Sequence, residues 1–139
     1  MNELAFVDTN VFVRFFTQDD PIQSDAAENI LKMAQRGELI LIINDLVIAE
    51  LAWVLRATYK MERAQIRKLL LSLLKMPNLL LRSANLTNHI VQAIDLSTLH
   101  NIDFADAYFA AWMVENEIST IFTFPTSRFV FLNYEKRPF

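Results

Sequence analysis

The sequence contains no cysteine and only one glycine among its 139 residues. The lack of cysteine excludes disulfide bonds, thiolate metal sites and cysteine nucleophiles. A single glycine, Gly37, is too few for a glycine-rich phosphate-binding loop, which excludes the P-loop and the dinucleotide-binding fingerprint.

Positive charge and long hydrophobic runs are also scarce. The net charge is −3, so nucleic acid would have to be bound by a local basic patch or through metal cations. No apolar run reaches the roughly 18 residues that can span a membrane, and the N-terminus lacks a signal-peptide pattern. We therefore expect a cytoplasmic protein with a single domain over residues 1–139.

Hydrophobic patterns predict strands that alternate with helices along the chain. The predicted strands are 4–7, 39–43, 79–82, 120–124 and 128–132, and the predicted helices are 10–16, 24–36, 46–59, 62–75, 87–100 and 103–117. Asn10 is the expected N-cap of the first helix, and Gly37 the expected C-terminal cap of the second. The pattern predicts an α/β fold, a three-layer α/β/α sandwich with a central, mainly parallel sheet of four to five strands.

Three carboxylates stand in unusually apolar surroundings. Asp8 directly follows the first strand, where the carboxyl ends of a parallel sheet gather functional residues. Glu50 has only apolar neighbours three and four positions away on its helix, and Asp106 leads into an almost wholly apolar helix. Each has an ordinary alternative, such as a position at a helix rim or helix start. A single cation site would explain all three, since a lone buried carboxylate costs several kcal/mol.

At these residues the chain resembles the PIN domain family, and within it the VapC-type toxins of bacteria and archaea. The resemblance rests on VDTNVFV at 7–13, IAELAWVL at 48–55, DFADAYFAA at 103–111 and, more weakly, IFTF at 121–124. It implies a PIN-like fold and a metal-dependent endoribonuclease that is the toxin of a toxin–antitoxin pair. It also implies Mg²⁺ or Mn²⁺ as cofactor, an RNA substrate, a cognate antitoxin and a homodimer.

The resemblance also implies roles for particular residues. The implied metal ligands and catalytic acids are Asp8, Glu50 and Asp106, with Asn10 orienting water or substrate and with Thr9 and Thr123 in support. The family usually has a fourth acid in a segment like Thr–Phe–Asp, where this chain has Pro125. Thr126 or Ser127 would be weak substitutes. Asp103 could compensate if it turned inward, although a helix cap is the better interpretation.

Basic and aromatic residues supply further candidates. RNA contacts are predicted at Arg14, Arg56, Lys60, Arg63, Arg67 and Lys68, although a solvated helical face is the simpler interpretation of this run. The aromatic residues Phe12, Phe15, Phe16, Trp53, Phe109 and Trp112 are expected mostly in the core, with some available for a dimer face or an antitoxin groove.

Two other functions remain open from the sequence. Because Pro125 replaces the fourth acid, the chain could be a catalytically weak or inactive PIN-fold module that binds RNA or protein. An aspartyl-phosphate enzyme with Asp8 as nucleophile is a weaker alternative. Enzymes that resemble the haloacid dehalogenases carry a second aspartate two residues later, where this chain has Asn10.

Overall fold

The computed structural model describes residues 3–82, 87–123 and 135–137. In chain order the elements are β1 (Glu3–Val7), α1 (Thr9–Thr17), α2 (Pro21–Gln35), β2 (Leu39–Ile43), α3 (Asp45–Ala57), α4 (Arg63–Leu74), β3 (Leu79–Leu81), α5 (Thr87–His100), α6 (Phe104–Glu115), β4 (Thr120–Phe122) and β5 (Glu135–Arg137). None of the described helices combines the length and the apolar composition needed to cross a bilayer.

The five strands form one sheet in the order β3-β2-β1-β4-β5, and every described pairing is parallel. Strand β1 is central, and it pairs with β2 on one side and with β4 on the other. The chain therefore builds outward through β2 and β3 and then returns to the other side of β1. Such a reversal of strand order opens a crevice at the carboxyl ends of the two strands that flank it, here β1 and β4.

The helices cover the sheet as the sequence pattern predicts. Since crossovers between parallel strands are right-handed, the reversal after β3 puts α5 and α6 on the face opposite α1 to α4. The contacts agree, because α1 packs against α2 and α3 while α5 packs against α6. The predicted three-layer α/β/α sandwich is confirmed.

The core is centred on contacts between β1 and α6. The ring of Phe6 lies 5.1 Å from that of Phe109 and 5.5 Å from that of Trp112, measured between centroids. All three side chains are fully buried, as is Phe12 of α1, and Phe15 and Phe16 pack at the edge of the core. The six aromatic residues named from the sequence lie mostly in the core, as expected, and Trp53 is the exposed member at 68%.

Two helix starts differ from the predictions. Asp8, and not Asn10, caps α1, because the helix begins directly after β1 with no intervening turn. Helix α2 begins at Pro21, three residues before the expected start, because the Asp20 side chain accepts the Gln23 N–H and proline suits the first helical position. The strand predicted at 128–132 lies outside the described residues.

Gly37 ends α2 as the sequence predicts. Its backbone is left-handed, with φ of 78°. Its N–H donates to the carbonyl of Ala34 at 3.0 Å, and the N–H of Glu38 donates to the carbonyl of Met33 at 2.9 Å. This pair of hydrogen bonds closes the helix end and directs the chain into β2.

Replacing Gly37 with alanine should lower the free energy of unfolding by about 1 kcal/mol, because a Cβ atom disfavours positive φ. Apart from the adjacent residues in the chain, no atom lies within 4 Å of the added Cβ, so the loss of stability should reflect backbone strain alone. Urea denaturation measures it, and Gly37→Asn should lose less because asparagine tolerates this conformation. Equal stability of Gly37→Ala and the parent would contradict this account of the helix end.

Candidate active site

Asp8 lies at the point where β1 ends and α1 begins, and its carboxylate is held by two hydrogen bonds. Oδ1 accepts the Thr9 N–H at 2.7 Å, the capping bond of α1. Oδ2 accepts the hydroxyl of Thr123 at 2.8 Å. Only 6% of Asp8 is exposed, so the protein almost completely removes this carboxylate from water.

Thr123 directly follows β4, on the strand that neighbours β1. The backbone N–H of Asp8 donates to the carbonyl of Phe122 at 3.0 Å, which extends the pairing of the two strands by one residue. The Thr123 hydroxyl adds a side-chain bond to the same junction. The two strands that flank the reversal of strand order are therefore joined through Asp8 at the carboxyl edge of the sheet.

Thr9 connects Asp8 to Glu50. Its hydroxyl donates to Glu50 Oε1 at 2.8 Å, while its N–H donates to Asp8. Thr9 is buried and Glu50, which lies near the middle of α3, is partly buried. One threonine thus fixes two carboxylates from different elements.

Asp106 lies in the first turn of α6, and its charge acts on both Asp8 and Glu50. Asp103 occupies the N-cap position of α6, but its side chain makes no capping hydrogen bond. Its charge also reaches Glu50. Burial raises the pKa of Tyr108 on α6, and the charge of Asp45, the first residue of α3, raises it further.

These surroundings disfavour the ionised form of two carboxyl groups. Burial, with smaller contributions from the charges of Asp106 and Glu50, raises the pKa of Asp8 to about 6, although the hydrogen bonds from Thr123 and Thr9 oppose the change. Burial and the charges of Asp106 and Asp103 likewise raise the pKa of Glu50 against the opposing hydrogen bond from Thr9. A cation near these groups would relieve both the burial cost and the mutual repulsion.

The donor chemistry fits a hard divalent cation, since Mg²⁺ and Mn²⁺ prefer carboxylate oxygens and Mg²⁺ usually keeps several waters. As the side chains stand, no three histidine, aspartate or glutamate residues of the described ranges converge into a ligand group for one ion. The carboxylates that influence one another electrostatically are Asp8, Glu50, Asp106 and Asp103. Such an ion would therefore need water or substrate oxygens to complete its coordination.

Two asparagines, Asn10 and Asn44, lie near this edge of the sheet. Asn10 is exposed on α1, and the hydrogen bonds to the carboxylates come from Thr9 and Thr123. Asn44, at the end of β2, is fully buried, and its Oδ1 caps α3 by accepting the Val47 N–H at 3.2 Å. The Asn44 Nδ2 has no hydrogen-bond partner among the described residues. Its position after a buried strand and before a helix was the signal that could have identified it.

The basic residues fall into two groups. Arg14 is occupied at the far end of α1, where it donates to Asp19 at 2.9 Å and to Gln23 at 2.8 Å. The remaining predicted RNA contacts are all exposed at the C-terminal end of α3 or on the segment and helix that follow: Arg56, Lys60, Arg63, Arg67 and Lys68. Pro125, Thr126 and Ser127 lie outside the described residues.

Comparisons with known proteins agree with this architecture. A chain in the crystal structure of VapBC2 from Rickettsia felis, bound to a DNA fragment from their promoter, superimposes with a TM-score of 0.70 at 18% sequence identity. The alignment covers 97% of this chain and 98% of that chain. No curated protein sequence gives a significant match.

The profile of the PIN domain matches residues 5–127, which include the Asp8 junction, the glutamate of α3 and the start of α6. The match spans most of the 139 residues and agrees with the parallel sheet order and with the carboxylates at its carboxyl edge. The chain therefore belongs to the PIN domain family.

Proposed function

We propose that this protein is a metal-dependent endoribonuclease that hydrolyses RNA phosphodiester bonds. The observation that carries the proposal is the buried Asp8 carboxylate, whose ionisation is opposed by burial and by the charges of Asp106 and Glu50. A protein that keeps acidic groups in such a setting benefits from a bound cation. Membership of the PIN domain family supports a nuclease, since PIN domains are generally nucleases.

In this proposal Asp8, Glu50 and Asp106 hold Mg²⁺ or Mn²⁺, with Asp103 close enough to influence Glu50. The bound ion would stabilise charge on the scissile phosphate and lower the pKa of a water molecule. The hydroxyl groups of Thr9 and Thr123 hold the Glu50 and Asp8 carboxylates in fixed orientations. Preset orientations of this kind reduce the rearrangement needed when an ion binds.

The toxin role and the partners rest on the structural neighbour. The R. felis structure contains VapBC2 bound to promoter DNA. We extend this likeness to propose that the present chain is the toxin of a toxin–antitoxin pair, that a cognate antitoxin binds it, and that it forms a homodimer. The exposed basic residues of α3, α4 and the segment between them are the proposed RNA contacts.

A second function is favoured by one feature of the sequence. Pro125 stands where the family usually has a fourth acid, and proline cannot ligate a metal. A PIN-fold module that binds RNA or protein with little or no cleavage is therefore the competing proposal, and the first experiment below separates the two.

The purified protein should cleave single-stranded RNA in Mg²⁺ or Mn²⁺, and EDTA should abolish the cleavage. Asp8→Asn and Glu50→Gln should each reduce the rate on the order of 100-fold, because each removes a proposed ligand without changing side-chain size. Asp25→Asn, an exposed aspartate of α2, is the matched control and should retain parental activity. Absence of cleavage by the parent protein would favour the binding module, whereas full activity of Asp8→Asn would contradict the proposed role of Asp8 as a metal ligand.

Asp8→Asn should stabilise the metal-free protein at pH 7.5. Because the folded-state pKa of Asp8 is raised from 3.8 to about 6, this residue's contribution to stability is fully present below pH 3.8 and is lost as the pH rises through 6. The parent therefore carries a cost of about 3 kcal/mol at pH 7.5 that the asparagine variant lacks.

Urea denaturation in EDTA at pH 7.5 and pH 4.5 measures this difference. The free energy of unfolding of the variant should exceed that of the parent clearly at pH 7.5 and by less at pH 4.5. Added Mg²⁺ should stabilise the parent more than the variant. A variant that is less stable than the parent at both pH values would contradict the proposed cost of burying this charge.

Thr9→Val should lower kcat/KM for RNA by about 10-fold, because valine keeps the shape of threonine but cannot donate to Glu50. Thr9→Ser retains the hydroxyl group and should recover most of the activity. Steady-state kinetics with a fluorescent RNA oligonucleotide distinguishes the two variants. If Thr9→Val kept the parental kcat/KM, the proposal that the Thr9 hydroxyl positions Glu50 would be wrong.

A further inference from the structure

Trp53 is the only large hydrophobic side chain of α3 that is strongly exposed, and α3 lies wholly within the described residues. The inner face of the helix consists of Val47, Leu51 and Leu55, which are fully buried. Trp53 lies three positions after Glu50, so the two side chains are neighbours on the surface of the helix. An indole that could pack inward is instead presented to solvent, one helical turn from a carboxylate of the candidate active site.

The segment of chain that follows Trp53, through the end of α3 and along α4, is strongly basic. Residues 51–75 contain six of the chain's thirteen lysine and arginine residues but only one of its sixteen acidic residues. Arg56, three positions after Trp53, is exposed and uses one guanidinium nitrogen to donate to the carbonyl of Met61 at 3.0 Å.

The cations of this surface are also available for a ligand. Lys60, Arg63, Arg67 and Lys68 make no ion pair with any described carboxylate. In contrast, Arg14, Lys32 and Arg36 elsewhere on the chain are each paired with an acid. Among the described residues, α4 and the segment before it therefore carry four cations without an ion pair.

We propose that Trp53 is a stacking platform for a base of single-stranded RNA next to the phosphate that is cleaved, and that Arg56 contacts the backbone of the same strand. The inference rests on the proposed ribonuclease function and adds a specificity determinant to it. An aromatic face accepts any unpaired base, whereas a base within a duplex has its faces covered by its neighbours. Trp53 would therefore make the enzyme prefer an unpaired nucleotide at this position.

RNA fits this surface better than a protein partner does. The helical neighbours of Trp53 on α3 are Ala49, Glu50, Arg56 and Ala57, so the indole is a single aromatic group bordered by small and charged side chains. A stable protein interface requires about 800 Å² on each partner with an apolar centre that is depleted in charge. A single aromatic ring beside unpaired cations is instead the combination that binds single strands.

The test begins by mapping the bond that the parent enzyme cleaves in a single-stranded RNA oligonucleotide. Kinetics is then measured for the parent, Trp53→Ala and Trp53→Phe on that RNA and on copies with an abasic nucleotide on either side of the cleaved bond. Trp53→Ala should raise KM roughly 10- to 100-fold with little change in kcat, and Trp53→Phe should recover most of the loss. For the parent, one of the two abasic RNAs should have a KM raised by a similar factor. For Trp53→Ala, the same abasic RNA should have the same KM as the intact RNA.

A binding measurement separates this inference from the proposed function. RNA should quench the tryptophan fluorescence of the Asp8→Asn protein, and the quenching should disappear when Trp53→Phe is added, because the remaining Trp112 is fully buried. If the parent cleaves no RNA, the ribonuclease proposal fails, and this quenching still decides whether Trp53 stacks on RNA.

An unchanged KM in Trp53→Ala would overturn the inference, as would equal losses on abasic RNA in the parent and in Trp53→Ala. Absence of quenching would also overturn it. If Trp53→Ala leaves KM unchanged but abolishes the binding of a partner protein, Trp53 contacts that protein and not RNA.

Discussion

The burial of the Asp8 carboxylate is the constraint on which the candidate site depends. It lies at the junction of the central strand with the first helix, where it accepts one hydrogen bond from the Thr9 backbone and one from the Thr123 hydroxyl. These bonds satisfy the carboxylate only in part, because burial still raises its pKa to about 6. The same two threonines connect it to Glu50 and to β4, so the position of the carboxylate is tied to both neighbouring elements.

The topology explains why the acids meet at this edge. Strand β1 is central, and the chain returns to its other side only after β3, so β1 and β4 end side by side. Asp8 and Thr123 are the residues that directly follow those strands. Helices α3 and α6 then bring Glu50 and Asp106 to within electrostatic range. Four sequence-distant segments therefore contribute to one candidate site through the strand order and the helices that cover the sheet.

The order of the elements and the unusual settings of Asp8 and Glu50 could be predicted, because apolar runs and carboxylates in apolar surroundings are local signals. The hydrogen bonds of the site could not be predicted, because their partners are distant in sequence. Thr9 and Glu50 are 41 positions apart, and Thr123 and Asp8 are 115 positions apart. The prediction that Asn10 caps α1 was wrong, because the pattern alone did not show that the helix starts directly after the strand. That Trp53 would be the exposed member of the aromatic set could not be predicted for a related reason, since α3 is apolar on nearly every side and only packing decides which side is buried.

The central claim is that the fold holds Asp8 in a setting that opposes its charge and that a divalent cation relieves. A ¹³C NMR titration of the Asp8 carboxyl carbon, assigned by comparison with Asp8→Asn, tests it most directly. We predict a midpoint near pH 6 in the metal-free protein, and a lower midpoint in saturating Mg²⁺. A midpoint near the ordinary value of 3.8 without metal, or one that Mg²⁺ leaves unchanged, would contradict the account.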